Sequence, residues 1–62
     1  MGQQTQQHRA LAERFALLAS WGEALEQLKI ARRISDADFY TLSEIDARIN
    51  QIERERQADA RP

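Results

Sequence analysis

The chain has no cysteine, and its 62 residues include only one proline, two glycines and one histidine. Without cysteine there are no disulfides and no thiolate metal sites, and His8 alone is too little for a zinc site unless several carboxylates surround it. With only Gly2 and Gly22, a glycine-rich phosphate-binding loop is excluded. We therefore expect no cofactor and no metal, and none of the covalent supports that stabilise very small domains.

The chain also has no large excess of positive or negative charge. Nine Lys and Arg stand against ten Asp and Glu, which gives a formal net charge of −1 and no general reason to expect nucleic acid. No apolar run approaches the ~20 residues of a membrane span. Residues 1–7 lack the basic start and apolar core of a signal peptide. The composition predicts a cytoplasmic chain with no membrane partner.

What the chain does contain is two apolar stripes of different width, one before Ser35 and one after it. At ~100° per residue, the apolar residues of 10–31 cover roughly 200° of a helix surface, too wide for one neighbouring helix. The second stripe is narrow and repeats at intervals of three, four and three residues: Leu42, Ile45, Ile49 and Ile52. The pattern predicts an all-α fold, a two-helix antiparallel hairpin that dimerises into a four-helix bundle.

The sequence around Ser35 favours a helix boundary. With Ser35 as N-cap, Asp38 takes the third helical position of a capping box, and Ile34 and Phe39 form a hydrophobic staple. One domain, 1–62, would then contain helix 1 at about 5–33, a turn at 34–35, helix 2 at about 36–57 and a frayed tail at 58–62.

A rival boundary at Ser20 has similar chemistry. Ser20 and Glu23 also match the capping pattern, and Gly22 costs a helix ~1 kcal/mol relative to Ala, so a break here would make three helices. Apolar residues nevertheless keep helical register from Leu18 to Leu28, which favours one long helix. Gly22 is then interpreted as a point of close approach by a neighbouring helix.

The hairpin would leave part of the first stripe uncovered. Leu18 would face Ile52 and Trp21 would face Ile49 inside the hairpin, but helix 2 has no apolar residue beyond Ile52 to cover the start of helix 1. A second copy of the chain is the simplest partner for this surplus surface. The predicted interface residues are Leu11, Phe15, Leu17, Trp21 and Ala24.

No catalytic arrangement is found. The serines at positions 20, 35 and 43 have no histidine near them in sequence, and His8 lies in a Gln-rich start that is expected to fray. We therefore expect neither an enzyme nor a small-molecule substrate.

The strongest basic cluster lies at the end of helix 1: Lys29, Arg32 and Arg33. Basic residues at this end of a helix are explained by their favourable interaction with the helix dipole. The nearby Tyr40 is expected to pack against Ile30 or Ile34. The same four residues are the candidate nucleic-acid contacts, because RNA-binding surfaces combine basic and aromatic side chains.

Residues 25–49 resemble the SHOCT domain, a short helical hairpin. Leu25 and Leu28 match its Leu-x-x-Leu pair, and Arg33 stands where the family usually has Gly. The remaining matches surround the turn: Ile34, Ser35, Asp38 and Phe39. The resemblance implies an oligomerising or tethering hairpin without catalytic residues. The plan of a short chain bent near its middle is also similar to the Rop family of plasmid copy-number proteins, hairpin dimers that bind paired RNA loops.

Three functions are therefore considered. The first is a non-catalytic, homo-oligomerising hairpin that acts as a protein–protein interaction or regulatory module. The second is an RNA-binding dimer of Rop type. The third is a small inhibitor or chaperone, of phage or other mobile-element origin, that covers the surface of a different protein.

Overall fold

A computed structural model describes residues 3–35 and 38–60, and all of the regular structure in these ranges is helical. Helix α1 spans Gln3–Leu17, α2 spans Trp21–Ile34 and α3 spans Phe39–Ala60. The prediction of an all-α fold is confirmed. The prediction of one long first helix is wrong, because the chain reverses at residues 18–20 and the hairpin becomes three helices. Positions 36–37, the start of the predicted second helix, lie outside the described residues.

The reversal after α1 is a Schellman motif centred on Ala19. The backbone N–H of Ser20 donates to the carbonyl of Phe15 at 2.8 Å, and that of Ala19 donates to the carbonyl of Ala16 at 3.0 Å. Ala19 has φ 58°, in the left-handed region where glycine is the usual residue. Ser20 then occupies the N-cap of α2, although its side chain makes no capping hydrogen bond.

Folding α1 back onto α2 divides the wide apolar stripe between two helices that face each other. Ala12 of α1 and Ala24 and Ala31 of α2 are completely buried, and such small side chains let helix axes approach closely. The second neighbour that the stripe requires is therefore the N-terminal part of the same chain. The expected close contact at Gly22 is not present, since a Cβ there would meet no atom within 4 Å.

Two polar contacts hold the start of α1 on α2. Thr5 is 6% exposed, and its Oγ1 lies 2.7 Å from Oγ of Ser35. The Nδ1–H of His8 donates to Oε1 of Gln27, with the two atoms 2.6 Å apart. The Gln-rich start of the chain was expected to fray, but these hydrogen bonds hold it against α2 as a helix.

The start of α3 is capped by Asp38, so the predicted cap at Ser35 is wrong. Oδ1 of Asp38 accepts the N–H groups of Tyr40 and Thr41 at 3.1 and 3.3 Å, and Oδ2 accepts the Thr41 hydroxyl at 2.6 Å. These bonds, the hydroxyl bond above all, lower the pKa of Asp38. Ser35 instead ends α2, its N–H donating to Ala31. Phe39 is 83% exposed, so the predicted staple does not form.

Helix α3 packs antiparallel on α2 and buries Ile45 and Ile52 completely. Nε of Arg32 donates to Oδ1 of Asp46 at 2.7 Å, and Nε1 of Trp21 donates to Oδ2 of Asp59 at 3.0 Å. These contacts place α3 about two to three helical turns away from the predicted register, in which Trp21 lay opposite residue 49.

Two further predictions about this helix pair are therefore wrong. Leu18 does not face Ile52, because the chain has already left α1 there and the Leu18 side chain is 73% exposed. The expected frayed tail is helical as far as Ala60, and Asp59 within it accepts the hydrogen bond from Trp21.

The turn can be tested by replacing Ala19 with glycine. We expect Ala19→Gly to raise the free energy of unfolding by about 0.5–1 kcal/mol, because relief of left-handed strain exceeds the added chain entropy. The matched control is Ala10→Gly, an exposed position inside α1, which should cost about 1 kcal/mol. Urea unfolding followed by circular dichroism measures both. Equal destabilisation by the two changes would mean that residue 19 lies in a continuous helix.

Candidate interaction surface

One side of α1 is occupied by ion pairs to α3. Arg48 donates to Glu13 through Nε at 2.8 Å and through Nη2 at 2.7 Å, which makes a bidentate pair. One turn earlier, Nη1 of Arg9 lies 3.6 Å from Oε1 of Glu44. The two helices run parallel, and the signs of the charges alternate between successive pairs. This side of α1 therefore faces α3.

The ion pair between Glu13 and Arg48 shifts the pKa of both side chains. The hydrogen bond from Arg48 lowers the pKa of Glu13, although partial desolvation opposes the shift. The same hydrogen bond raises the pKa of Arg48, whose guanidinium also lies 3.7 Å from Glu55. Because half of the Glu13 side chain is exposed, we expect the pair to contribute no more than about 1 kcal/mol to stability.

The opposite side of α1 carries an apolar line of Leu11, Phe15 and Leu18. These residues are spaced by four and three positions, and at ~100° per residue they lie roughly 150° around the helix from Arg9 and Glu13. Leu11 is 40% exposed, Phe15 is half-buried against the core and Leu18 is 73% exposed. Leu18 follows the last residue of α1 but continues the line, because its backbone N–H still donates to the carbonyl of Arg14.

The neighbouring flank of α2 extends this apolar surface. Gln27 points toward α1, as its bond to His8 shows, and Ile30 and Ile34 follow it on the same side of α2. Ile30 is half-buried and Ile34 is 39% exposed. We call the combined surface the outer face; it consists of Leu11, Phe15, Leu18, Ile30 and Ile34.

The five predicted interface residues occupy different environments. Leu11 and Phe15 lie on the outer face, whereas Leu17 is 86% exposed but points roughly 100° away from Leu18. Trp21 is half-buried and bonded to Asp59. Ala24 is completely buried between the helices and therefore offers no side-chain surface to a second copy.

The candidate nucleic-acid contacts are all exposed, but one of them is already held in an ion pair. Lys29 and Arg33 are exposed, but Arg32 is paired with Asp46. Tyr40 is 74% exposed, so its favoured packing against the isoleucines of α2 is wrong. Tyr40 and the exposed Phe39 lie at the start of α3.

Within the described ranges, no three His, Cys, Asp or Glu side chains cluster closely enough to bind a metal ion. None of the helices, as far as residues 3–35 and 38–60 are concerned, has the length and apolar content needed to cross a bilayer. Comparison with known families, with curated proteins and with solved structures found no match.

Sequence reasoning missed two parts of this surface. The sequence pattern assigns Ile30 to packing against Tyr40, and Ile34 to the same packing or to the staple with Phe39, although both lie on the α2 flank beside α1. Leu18 was placed in the core. The available signal was the four-and-three spacing of Leu11, Phe15 and Leu18, which forms a separate line once the helix ends at Leu17.

The Glu13–Arg48 pair predicts a pH-dependent contribution to stability. A lowered folded-state pKa stabilises the fold above the ordinary glutamate pKa of 4.5, and this contribution is lost as pH falls through the folded-state value. Glu13→Gln should therefore lower stability by about 0.5–1 kcal/mol at neutral pH and by progressively less in acid. The control is Glu26→Gln, since Glu26 is exposed and in no ion pair among the described residues. Urea unfolding at a series of pH values checks this. If the stabilities of the two variants changed with pH in the same way, the Glu13–Arg48 pair would not contribute to stability.

Proposed function

We propose that this chain is a non-catalytic, self-associating helical module that acts through protein–protein contact. The observation that carries the proposal is the distribution of large apolar side chains in the described residues. Six are exposed, whereas three are fully buried: Leu28, Ile45 and Ile52. Three of the six, Leu11, Leu18 and Ile34, lie on the outer face, and a grouping of exposed apolar side chains on one side is typical of a binding surface.

The small core supports the same proposal. Three of the seven buried apolar residues are alanines, which contribute little apolar area, and the chain has no cysteine for a disulfide. A domain of this size gains stability from association, because a partner removes further apolar surface from water.

The proposed dimer differs from the predicted dimer of two-helix hairpins. Because α1 and α2 pack on each other, they cover most of the apolar surface of residues 10–31 within one chain. The associating units would therefore be two three-helix chains. The resemblance of residues 25–49 to the SHOCT domain fits an oligomerising or tethering role for such a unit.

RNA binding receives less support from the geometry. Arg32, in the middle of the basic cluster, is neutralised by Asp46 at 2.7 Å. The exposed Tyr40 could stack on a base, but the mixed charges of both helices dilute the positive potential around it.

Self-association predicts concentration-dependent behaviour. Sedimentation equilibrium should give a dimer at micromolar chain concentration, and the thermal unfolding midpoint should rise with concentration because association favours the folded state. A monomer at every concentration, with a constant midpoint, would contradict the proposal.

A further inference from the structure

We propose that a second copy of this chain docks on the outer face, on the side of α1 and α2 that is turned away from α3. This inference rests on the proposed self-association and adds the surface that performs it.

The arrangement of the outer face suits a helical partner. Leu11, Phe15 and Leu18 form a narrow seam with the four-and-three spacing that packs against another helix. Ile30 and Ile34 add apolar surface on α2, and the hydrogen-bonded His8 and Gln27 lie between them and the α1 seam. A second copy of the chain can pack its own seam against this one, as neighbouring helices do in a four-helix bundle.

The exposed area is also close to what a dimer requires. A compact monomer of 7.2 kDa is expected to expose about 4,100 Å², whereas this chain exposes 4723 Å². The excess is roughly 600 Å², and a standard interface buries about 800 Å² on each partner. A dimer contact of standard size would therefore bury an area comparable with the whole excess.

Charge distinguishes the outer face from the other sides of the molecule. Charged residues of opposite sign border it: Arg14 lies beside Leu11 and Leu18 on α1, and Glu23 lies on the same helical line as Ile30 and Ile34 of α2. A two-fold contact therefore places both signs at the rim of each copy and does not force like charges together. The side of α1 toward α3 is filled by ion pairs, and the outward side of α3 is polar: Ser43, Asn50 and Arg54.

Adjacent leucines provide a matched pair of variants. Leu18 lies on the outer face and Leu17 does not, yet Leu17 is the more exposed, at 86% against 73%. Glutamine at either position keeps the side-chain length and adds no charge at the end of α1. Because both side chains are largely in water within one chain, neither change should unfold the monomer, and circular dichroism checks that helicity is retained.

Sedimentation equilibrium then compares the dimer dissociation constants. We expect Leu18→Gln to raise the dissociation constant by about tenfold or more, and Leu17→Gln to change it by less than about threefold. Ile34→Gln, at the far end of the outer face, should weaken the dimer in the same direction as Leu18→Gln.

The possible failures are distinguishable. If the wild-type chain dimerises but Leu18→Gln leaves the dissociation constant unchanged, or Leu17→Gln weakens it equally, the outer face is not the interface and self-association stands. If the wild-type chain remains monomeric, both proposals are overturned and the apolar surface belongs to a different protein.

Discussion

The left-handed turn at Ala19 is the constraint on which the rest of the structure depends. Because it reverses the chain between α1 and α2, apolar residues that would share one wide helix face instead pack against each other. The reversal satisfies its own backbone groups, since the N–H groups of Ala19 and Ser20 occupy the last carbonyls of α1. The fully buried Ala12 and Ala24 then allow the two helices to lie close together.

The position of α3 follows from this first packing step. With α1 covering one flank of α2, the other flank is left for the narrow seam of α3, where Ile45 and Ile52 become completely buried. Arg48 then reaches Glu13 across the gap between α1 and α3. The pair fixes the relative register of the parallel helices more than it adds stability, because both side chains keep substantial contact with water.

The same packing decides which surface is left for a partner. A continuous first helix would direct Leu18 and Trp21 toward the last helix and leave Ala24 on the free surface. The reversal buries Ala24, ties Trp21 to Asp59 and turns Leu18 outward. The α1 part of the outer face, Leu11, Phe15 and Leu18, is therefore what remains of the wide stripe after the chain has covered most of it. Its apolar character, beside a core of few large side chains, is the basis of the proposed function in protein–protein contact.

Local chemistry in the sequence determined the helical class, since periodicity and composition act over a few residues, and it predicted the start of the last helix at residue 36, three residues before the observed start at Phe39. The break at residues 18–20 could not be derived in this way. The Schellman turn uses Ala19 where glycine is usual, and apolar spacing continues across it, so local signals favoured a helix. Only tertiary packing decided the matter, because the burial gained by folding α1 onto α2 outweighs the strain of one left-handed alanine, about 1–2 kcal/mol.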